Sequence, residues 1–212
     1  LRHFDPQPLA LLEIGCSAGL NLLWDRYRYA YDDSGKIYGD RDAPTLITAE
    51  FLGKRSAGLD DSLPLVSQRI GVDLNPIDVC DPAEVDWLRA LIWPEQHERR
   101  KLLEAAIQQQ QEVELDLRNG DGFADVSSIA AEIPADTLLC IYHTHVANQI
   151  SREKGEAFLE TVRELGRHRD LLHLYNNLHD AHLRLQVYRG GILTRETLAN
   201  TDGHGRWLEW LA

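Results

Sequence analysis

The sequence predicts an α/β protein whose mainly parallel, seven-stranded sheet has an antiparallel edge and a small β insertion. Strand-length apolar runs alternate with stretches of helical periodicity along most of the chain, and this alternation is typical of parallel strands joined by helical crossovers. A turn containing Gly15 joins the first apolar run to the first helical stretch. The last two strand-like runs have no helical stretch between them, so we expect them to form an antiparallel edge.

The first predicted strand is Leu9–Ile14, a short apolar run that indicates burial on both faces. Beyond Gly19 the apolar residues recur at the three- and four-residue spacing of a helix, at Leu20, Leu23, Trp24 and Tyr27. Residues 29–68 lack this period and contain clusters of Gly, Asp, Pro and Ser between short candidate strands at 36–38 and 46–51. We therefore expect an antiparallel insertion there.

The second main strand is predicted at 69–74, where Asn75 and Pro76 stop it. A helix follows to residue 92, because Asp81 suits an N-cap and Pro82 the first turn. The remaining predicted elements are helices at 94–111 and 151–167, an amphipathic stretch around 126–133, and strands at 112–117, 137–142, 171–175, 183–188 and 206–211.

Bulk composition predicts one domain over residues 1–212 and narrows the classes of partner. The chain has 34 acidic and 22 basic residues, for a formal net charge of -12, which opposes binding to a phosphate backbone. A small-molecule or protein substrate is therefore expected rather than nucleic acid. Three scattered cysteines, Cys16, Cys80 and Cys140, indicate reduced thiols in a cytoplasmic protein. No apolar run is long enough to span a bilayer, and no secretory signal opens the sequence.

The turn after the first strand predicts a ligand site. In open α/β sheets ligands bind beyond the carboxyl ends of the strands, where backbone N–H groups are available. The segment from Glu13 through Gly15 and Ser17 to Gly19 resembles the methyltransferase pattern of an acidic residue followed by G-x-G-x-G, with Ser17 in place of the middle glycine. A dinucleotide fingerprint would need glycine at Ser17 and Leu20. This resemblance implies S-adenosylmethionine as cofactor, although a tight structural turn explains two glycines equally well.

Two further carboxylates are predicted to contact the same cofactor. Asp73, followed by Asn75, ends the second predicted strand, where a carboxylate can accept hydrogen bonds from both ribose hydroxyls. Glu50 is the reserve candidate if the strand at 46–49 is the true second strand. Asp121 follows the third predicted strand and is expected near the adenine amino group, as in methyltransferases. Each aspartate is equally compatible with a simple turn or cap.

Longer blocks carry a second resemblance. Residues 11–27, 71–78 and 87–96, with a tail block from His204 to Trp210, are similar to a bacterial family of unknown function whose members look like class I methyltransferases. The resemblance implies a Rossmann-like methyltransferase fold and the cofactor S-adenosylmethionine. It also implies residues before the glycine strand that are missing here. It does not identify a methyl acceptor.

Polar residues at the ends of two later strands are candidates for catalysis. His143 follows the fourth predicted strand, and Asn176 and His179 follow the fifth, so neighbouring strands should bring them over the cofactor. His143 is predicted as general base or acceptor-orienting group, supported by Asn176 and His179. Alternatively these residues cap strand ends or bond one another. A three-histidine metal site of His143, His145 and His179 is a further alternative.

Two other functions remain open at the level of sequence. Residues 15–19 also spell G-x-S-x-G between a strand and a helix, which is the nucleophile elbow of a serine hydrolase. Ser17 would then act with Asp121 or Asp180 and with His204, although only fourteen residues precede Gly15 and that fold needs strands upstream. A non-catalytic adenosyl-binding protein is the second option.

Overall fold

The fold is built around β1 (Leu9–Ile14), all six residues of which are buried. The computed structural model describes residue 4 and residues 7–31, 36–52 and 63–211. The other strands are β2 (Arg28–Ala30), β3 (Tyr38–Gly39), β4 (Leu46–Thr48), β5 (Glu50–Leu52), β6 (Val66–Asp73), β7 (Asp116–Asn119), β8 (Leu138–His143), β9 (Leu171–Tyr175), β10 (Leu183–Arg189), β11 (Ile192–Thr201) and β12 (Trp207–Trp210). The helices are α1 (Pro82–Ala90), α2 (His97–Gln110), α3 (Gly122–Glu132) and α4 (Arg152–His168).

The main sheet has nine strands in the order β5-β12-β11-β10-β9-β8-β1-β6-β7. From β7 to β9 all neighbouring strands are parallel. Strands β10, β11 and β12 continue as antiparallel neighbours, and β5 closes the edge parallel to β12. The α/β class, the mainly parallel sheet and the antiparallel edge are therefore confirmed. The order reverses between β1 and β8, so this is the place where the crossover helices change direction.

The prediction of seven strands was wrong because two strands of the main sheet lack an independent hydrophobic signal. β11 reads as a polar segment between two turns, and most of its side chains are at least partly exposed. Its backbone nevertheless pairs with both β10 and β12. The prediction treated β4 and β5 as one strand at 46–51. In the structure the strand is interrupted at Ala49, and β4 and β5 belong to different sheets.

Two layers of apolar side chains cover the faces of the sheet. On one face, residues of β1 such as Leu12 and Ile14 pack with Val126 of α3 and Phe158 of α4. On the other face, Leu9 and Leu11 pack with Leu22. Helix α1 packs beside the turn that follows β1, through Val85 and Leu88 against Ala18. Alternate residues of β1 thus serve the two layers, as the pleat of a strand requires.

The segment after the glycine turn is a 3-10 helix (Leu20–Arg26) rather than the predicted α-helix, and its backbone is non-helical at Leu23. Side chains donate hydrogen bonds to backbone carbonyls that would accept from backbone N–H groups in an α-helix. The Tyr27 hydroxyl donates to Leu20 O at 2.6 Å, and the guanidinium of Arg69 donates to Leu22 O. Helical spacing of apolar residues therefore identified the buried face but not the hydrogen-bonding pattern.

The insertion differs from its prediction in the direction of its strands. Strands β2, β3 and β4 form a small sheet, in which β2 is antiparallel to β3 but parallel to β4, so this sheet is mixed rather than antiparallel. Two parts of the insertion, residues 32–35 and 53–62, lie outside the described residues. The next strand along the chain that pairs with β1 is β6, not β4 or β5, and Asp73 is therefore the residue at the end of the second main strand. Glu50 instead begins β5, and its N–H donates to Arg206 O.

The remaining predicted elements lie close to their observed positions. Asp81 caps α1, with its carboxylate accepting from the Ala83 N–H. The third strand is displaced, because the apolar residues Val113 and Leu115 pack against the helices before the ladder begins at Asp116. None of the helices within the described residues combines the length and the apolar character needed to cross a bilayer.

Candidate functional site at the carboxyl edge of the sheet

The turn after β1 contains three residues with left-handed backbone. Gly15, Ser17 and Gly19 have φ values of 75°, 51° and 71°. A Cβ at Gly15 would lie 2.7 Å from the Val146 side chain, and one at Gly19 would lie 2.9 Å from Leu115 and Leu117. The glycines therefore allow both the left-handed backbone and close packing against the protein's own side chains. Ser17 adopts the same region despite its Cβ, which indicates that the surrounding contacts impose the conformation.

Several amides of this turn already have acceptors inside the protein. The N–H of Gly15 donates to Val72 O at 2.8 Å, and the N–H of Gly19 donates to Cys16 O at 2.8 Å. The N–H of Ser17 donates to Asp73 Oδ2 at 2.9 Å. The expected row of bare amides is thus largely absent at these three positions. What the turn presents instead is the partly buried carboxylate of Asp73, held against its backbone.

Asp73 is brought to the turn by β6, across a separation of 56 residues in sequence. Its second oxygen, Oδ1, accepts from the Asn75 N–H at 2.9 Å. A carboxylate has about four acceptor positions, so two donors leave roughly half of them unused. The orientation of Asp73 toward the turn agrees with its predicted position, and Asn75 contributes through its backbone.

Glu13 lies inside the sheet rather than at its surface, with 2% of its area exposed. Its carboxyl oxygens accept from Asn21 Nδ2 at 2.9 Å and from the Tyr142 hydroxyl at 3.5 Å. Burial raises the pKa of Glu13 to about 8, against the lowering effect of these two hydrogen bonds. A neutral Glu13 is a buried anchor for the first turn of the 3-10 helix.

Asp121 caps α3 and pairs with a lysine of α4. One oxygen accepts from the Phe123 N–H at 3.2 Å, and the other accepts from Lys154 Nζ. Burial alone would raise the pKa of Asp121, but the hydrogen bond and charge of Lys154 outweigh it and the pKa is lowered. Both oxygens of Asp121 have partners in this conformation, as the alternative of a simple cap predicted.

His143, the first candidate for a general base, is fully buried between the sheet and the helices. Its ring lies 5.4 Å from that of Phe123 and 5.6 Å from that of Phe158. Its Nε2 lies 3.1 Å from His173 Nε2, and its Nδ1 has no partner. Burial, with the nearby His173 ring, holds the pKa of His143 well below its usual range. The imidazole therefore has no surface open to a substrate in this structure.

The exposed His145, the buried Asn176 and the partly buried Asn177 form a polar cluster at this edge. The His145 N–H donates to Asn176 Oδ1 at 2.9 Å, and its ring Nδ1 lies 2.9 Å from Asn177 Nδ2. His145 and Asn177 both have left-handed backbone, with φ values of 60° and 58°. His179 is exposed and makes none of these contacts. Asn176 is thus where it was predicted, but its partner is His145.

The residues of the alternative metal site and of the alternative serine triad do not lie together. Within residues 4, 7–31, 36–52 and 63–211, no group of three or more His, Cys, Asp or Glu side chains is arranged to hold a metal ion. The three-histidine arrangement is therefore wrong, since His143 faces the core and His145 faces the asparagines. In the proposed serine triad, Asp180 pairs with Arg184 and His204 contacts Arg99. Neither is hydrogen-bonded to Ser17.

Four polar residues of this region were missed by the sequence argument. Lys154, Asn21 and Asn177 lie in polar surroundings whose pairing depends on the tertiary fold, so the sequence contains no signal for them. His173 does have a signal, because it interrupts the apolar strand β9. A polar residue in the middle of a buried strand requires a hydrogen-bond partner, and His143 is that partner.

Comparison with known proteins identifies a family but no activity. The model of a family described as an uncharacterized protein conserved in bacteria (DUF2332) matches residues 1–210. No curated protein and no solved structure matches the chain significantly. The resemblance to a bacterial family of unknown function is confirmed, while the similarity of that family to methyltransferases stays a prediction.

Proposed function

The chain belongs to this bacterial family, DUF2332, and we propose that it binds S-adenosylmethionine at the carboxyl edge of the sheet and transfers the methyl group to a small-molecule or protein acceptor. The observation that carries the proposal is the hydrogen bond between Asp73 and the Ser17 amide. It joins a carboxylate at the end of β6 to the turn that follows β1.

The strand order supports the same proposal. Counted along the chain, the five parallel strands β7-β6-β1-β8-β9 lie in the order third, second, first, fourth, fifth. Dinucleotide-binding α/β sheets begin with this order, and they bind adenosyl groups beyond the carboxyl ends of the strands where the order reverses. The turn after β1, with Asp73 beside it, lies at that reversal.

The residues of the turn fit an adenosyl ligand at some positions better than at others. The unused acceptor positions of Asp73 suit the two hydroxyls of a ribose. Asp121 fits an adenine amino group less well, because Lys154 and the start of α3 already occupy its oxygens. Asp73 is therefore the residue on which cofactor binding should depend most.

The chemistry assigned to the chain's own residues is binding and orientation. When bound, the cofactor supplies a methyl group on a positively charged sulfur. Asp73 would hold the ribose of that cofactor, and the turn at Gly15 and Ser17 would lie beside it. Holding two reactants in line accounts for a large part of the acceleration of such transfers, so a dedicated proton acceptor is not required for every acceptor class.

Calorimetric titration with S-adenosylmethionine and S-adenosylhomocysteine tests the proposal. We expect both to bind, and Asp73→Asn to weaken binding at least about tenfold, because a charged hydrogen bond contributes about 1.5–3 kcal/mol. Asp136→Asn is the matched control, since this exposed aspartate precedes β8 at the opposite end of the strands. Binding of neither compound to folded protein, or equal affinities for wild type and Asp73→Asn, would contradict the proposal.

A further inference from the structure

We propose that His145 is the residue that binds the methyl acceptor, that it does so as a hydrogen-bond donor through Nε2–H, and that the acceptor presents a carboxylate. The inference deepens the proposed function and rests on it. Asn177 acts as a positioning residue, because it determines which ring nitrogen of His145 holds the proton.

The backbone around His145 is constrained from several sides. Its φ of 60° is unfavourable for a residue with a Cβ. The buried Asn176 side chain accepts from the His145 N–H at 2.9 Å. A conformation of this kind persists only where neighbouring groups impose it. The constraint places an exposed imidazole at the carboxyl end of β8, while His143, two residues earlier, is buried.

The hydrogen bonds of Asn177 define the neutral tautomer of His145. Its Nδ2 lies 3.3 Å from Asn176 Oδ1 and 2.9 Å from His145 Nδ1. Since Asn176 Oδ1 is an acceptor, Nδ2 is the donor in both contacts, and Nδ1 must accept. The proton of the neutral ring then resides on Nε2. Asn176 Nδ2 is also a donor and lies 3.5 Å from Nε2, which is a longer and weaker contact than the one at Nδ1, so the contact at Nδ1 determines the tautomer.

The next residue connects His145 to the proposed cofactor site. The side chain of Val146 lies so close to Gly15 that a Cβ on the glycine would be 2.7 Å from it. His145 is therefore one residue from the contact between β8 and the turn. An acceptor bonded to Nε2–H would lie beside the cofactor proposed to bind at that turn.

A carboxylate is the acceptor class that these donors suit. An N–H of a neutral imidazole can stabilise an anionic oxygen but cannot remove a proton from a hydroxyl or an ammonium group. A carboxylate has no proton to lose. Its oxygen forms the new O–CH3 bond as the S–CH3 bond breaks, the electron pair of that bond stays on sulfur, and the negative and positive charges cancel. The product is a methyl ester.

The test uses 15N-labelled histidine and acetate as the probe, at about pH 8 so that an ordinary histidine is neutral. Long-range 1H–15N spectra of the whole chain should show His145 with an unprotonated Nδ1 and a protonated Nε2. Acetate should shift the Nε2 resonance saturably, and acetamide should do so at least tenfold more weakly. A protonated Nδ1 in the wild type, or no shift with acetate, would overturn the inference.

Asn177→Asp supplies the matched variant. Its carboxylate accepts a hydrogen bond from Nδ1–H, which places the proton of the neutral ring on Nδ1 and leaves Nε2 without a hydrogen. We expect acetate affinity to fall at least tenfold while S-adenosylhomocysteine affinity stays within twofold of the wild type. Unchanged acetate affinity despite the reversed tautomer would overturn the inference. If the wild type does not bind S-adenosylhomocysteine, the proposed function is overturned instead. Failure of the inference and failure of the proposed function are therefore distinguishable.

Discussion

At the scale of single residues, polar groups buried at the centre of the sheet make the protein sensitive to pH. Glu13 is enclosed between Asn21 and Tyr142, and burial is the largest cause of its raised pKa. His173 is likewise buried, and desolvation lowers its pKa to about 4. Both groups are neutral near pH 7 in the folded protein, and each resists ionisation for the same physical reason.

Replacing Glu13 with glutamine should remove one source of pH dependence. The folded pKa of about 8 lies above the ordinary value of 4.5, so the group stabilises the fold fully below the ordinary value, and this stability is lost as pH rises through 8. Over that window the free energy of unfolding of the wild type should fall by up to about 1.4 kcal/mol per pH unit. The glutamine of Glu13→Gln cannot ionise, so the stability of this variant relative to the wild type should increase from about pH 5 to pH 8.

Urea unfolding of both proteins at several pH values in that window measures this difference. Glu112→Gln is the control, because Glu112 is exposed and its replacement should leave the pH dependence unchanged. Parallel curves for the wild type and Glu13→Gln would show that Glu13 is ionised in the folded state.

At the scale of secondary-structure elements, one arginine connects the end of α4 to the loop between α3 and β8. The guanidinium of Arg169 donates to four carbonyl oxygens at 2.8–3.1 Å, those of Ala130, Ile133, Pro134 and Thr137. Ala130 lies near the end of α3 and the other three residues follow the helix. Their carbonyls surround the planar guanidinium, which matches the fork geometry of arginine. The contact positions the start of β8, and hence the strand that ends at the candidate site.

Arg169→Ala should destabilise the protein by about 2–3 kcal/mol, because the carbonyls lose their donors in a partly buried place. The stability of Arg169→Lys should lie between those of the wild type and Arg169→Ala, since an ammonium group offers three donors without the planar fork. Thermal or urea unfolding measures the effect. Arg152→Ala is the control, because this arginine is exposed and pairs with Glu156 one turn away, a contact of at most about 0.5 kcal/mol. Equal losses for Arg169→Ala and Arg152→Ala would refute the role of Arg169.

At the scale of the whole molecule, β12 joins the insertion to the main sheet. It pairs with β11 on one side and with β5 on the other. Segments separated by more than 140 residues thus share one ladder, since Leu208 is paired with Phe51. The insertion is therefore an integral edge of the sheet at this point.

Leu208→Pro tests this connection. Proline removes a backbone donor from a strand that has neighbours on both sides. We expect limited proteolysis within residues 29–68 to become severalfold faster. Leu208→Ala is the matched control, because it keeps the backbone donor and removes only the side chain. Cleavage of Leu208→Pro at the wild-type rate would show that the insertion is held by other contacts.

The sequence by itself determined the parallel core and the general position of the candidate site. Apolar runs predicted β1, β8 and β9 to within about one residue, and the residue type and position of Asp81 predicted a helix cap. These features depend on local patterns, since burial on both faces requires a continuous apolar run and a helix start requires a side-chain acceptor. Asp73 followed from the same logic, because parallel strands end at one edge.

Only the tertiary structure decided which polar side chains meet. β8 continues to His143, one residue beyond its predicted end, so His143 keeps the alternation of Leu139 and Ile141 and points into the core. The chain then turns, and His145 becomes the exposed histidine. The pairs Asp121 with Lys154 and His143 with His173 likewise join elements 30 or more residues apart. Such contacts depend on strand register and helix packing, which no local pattern encodes.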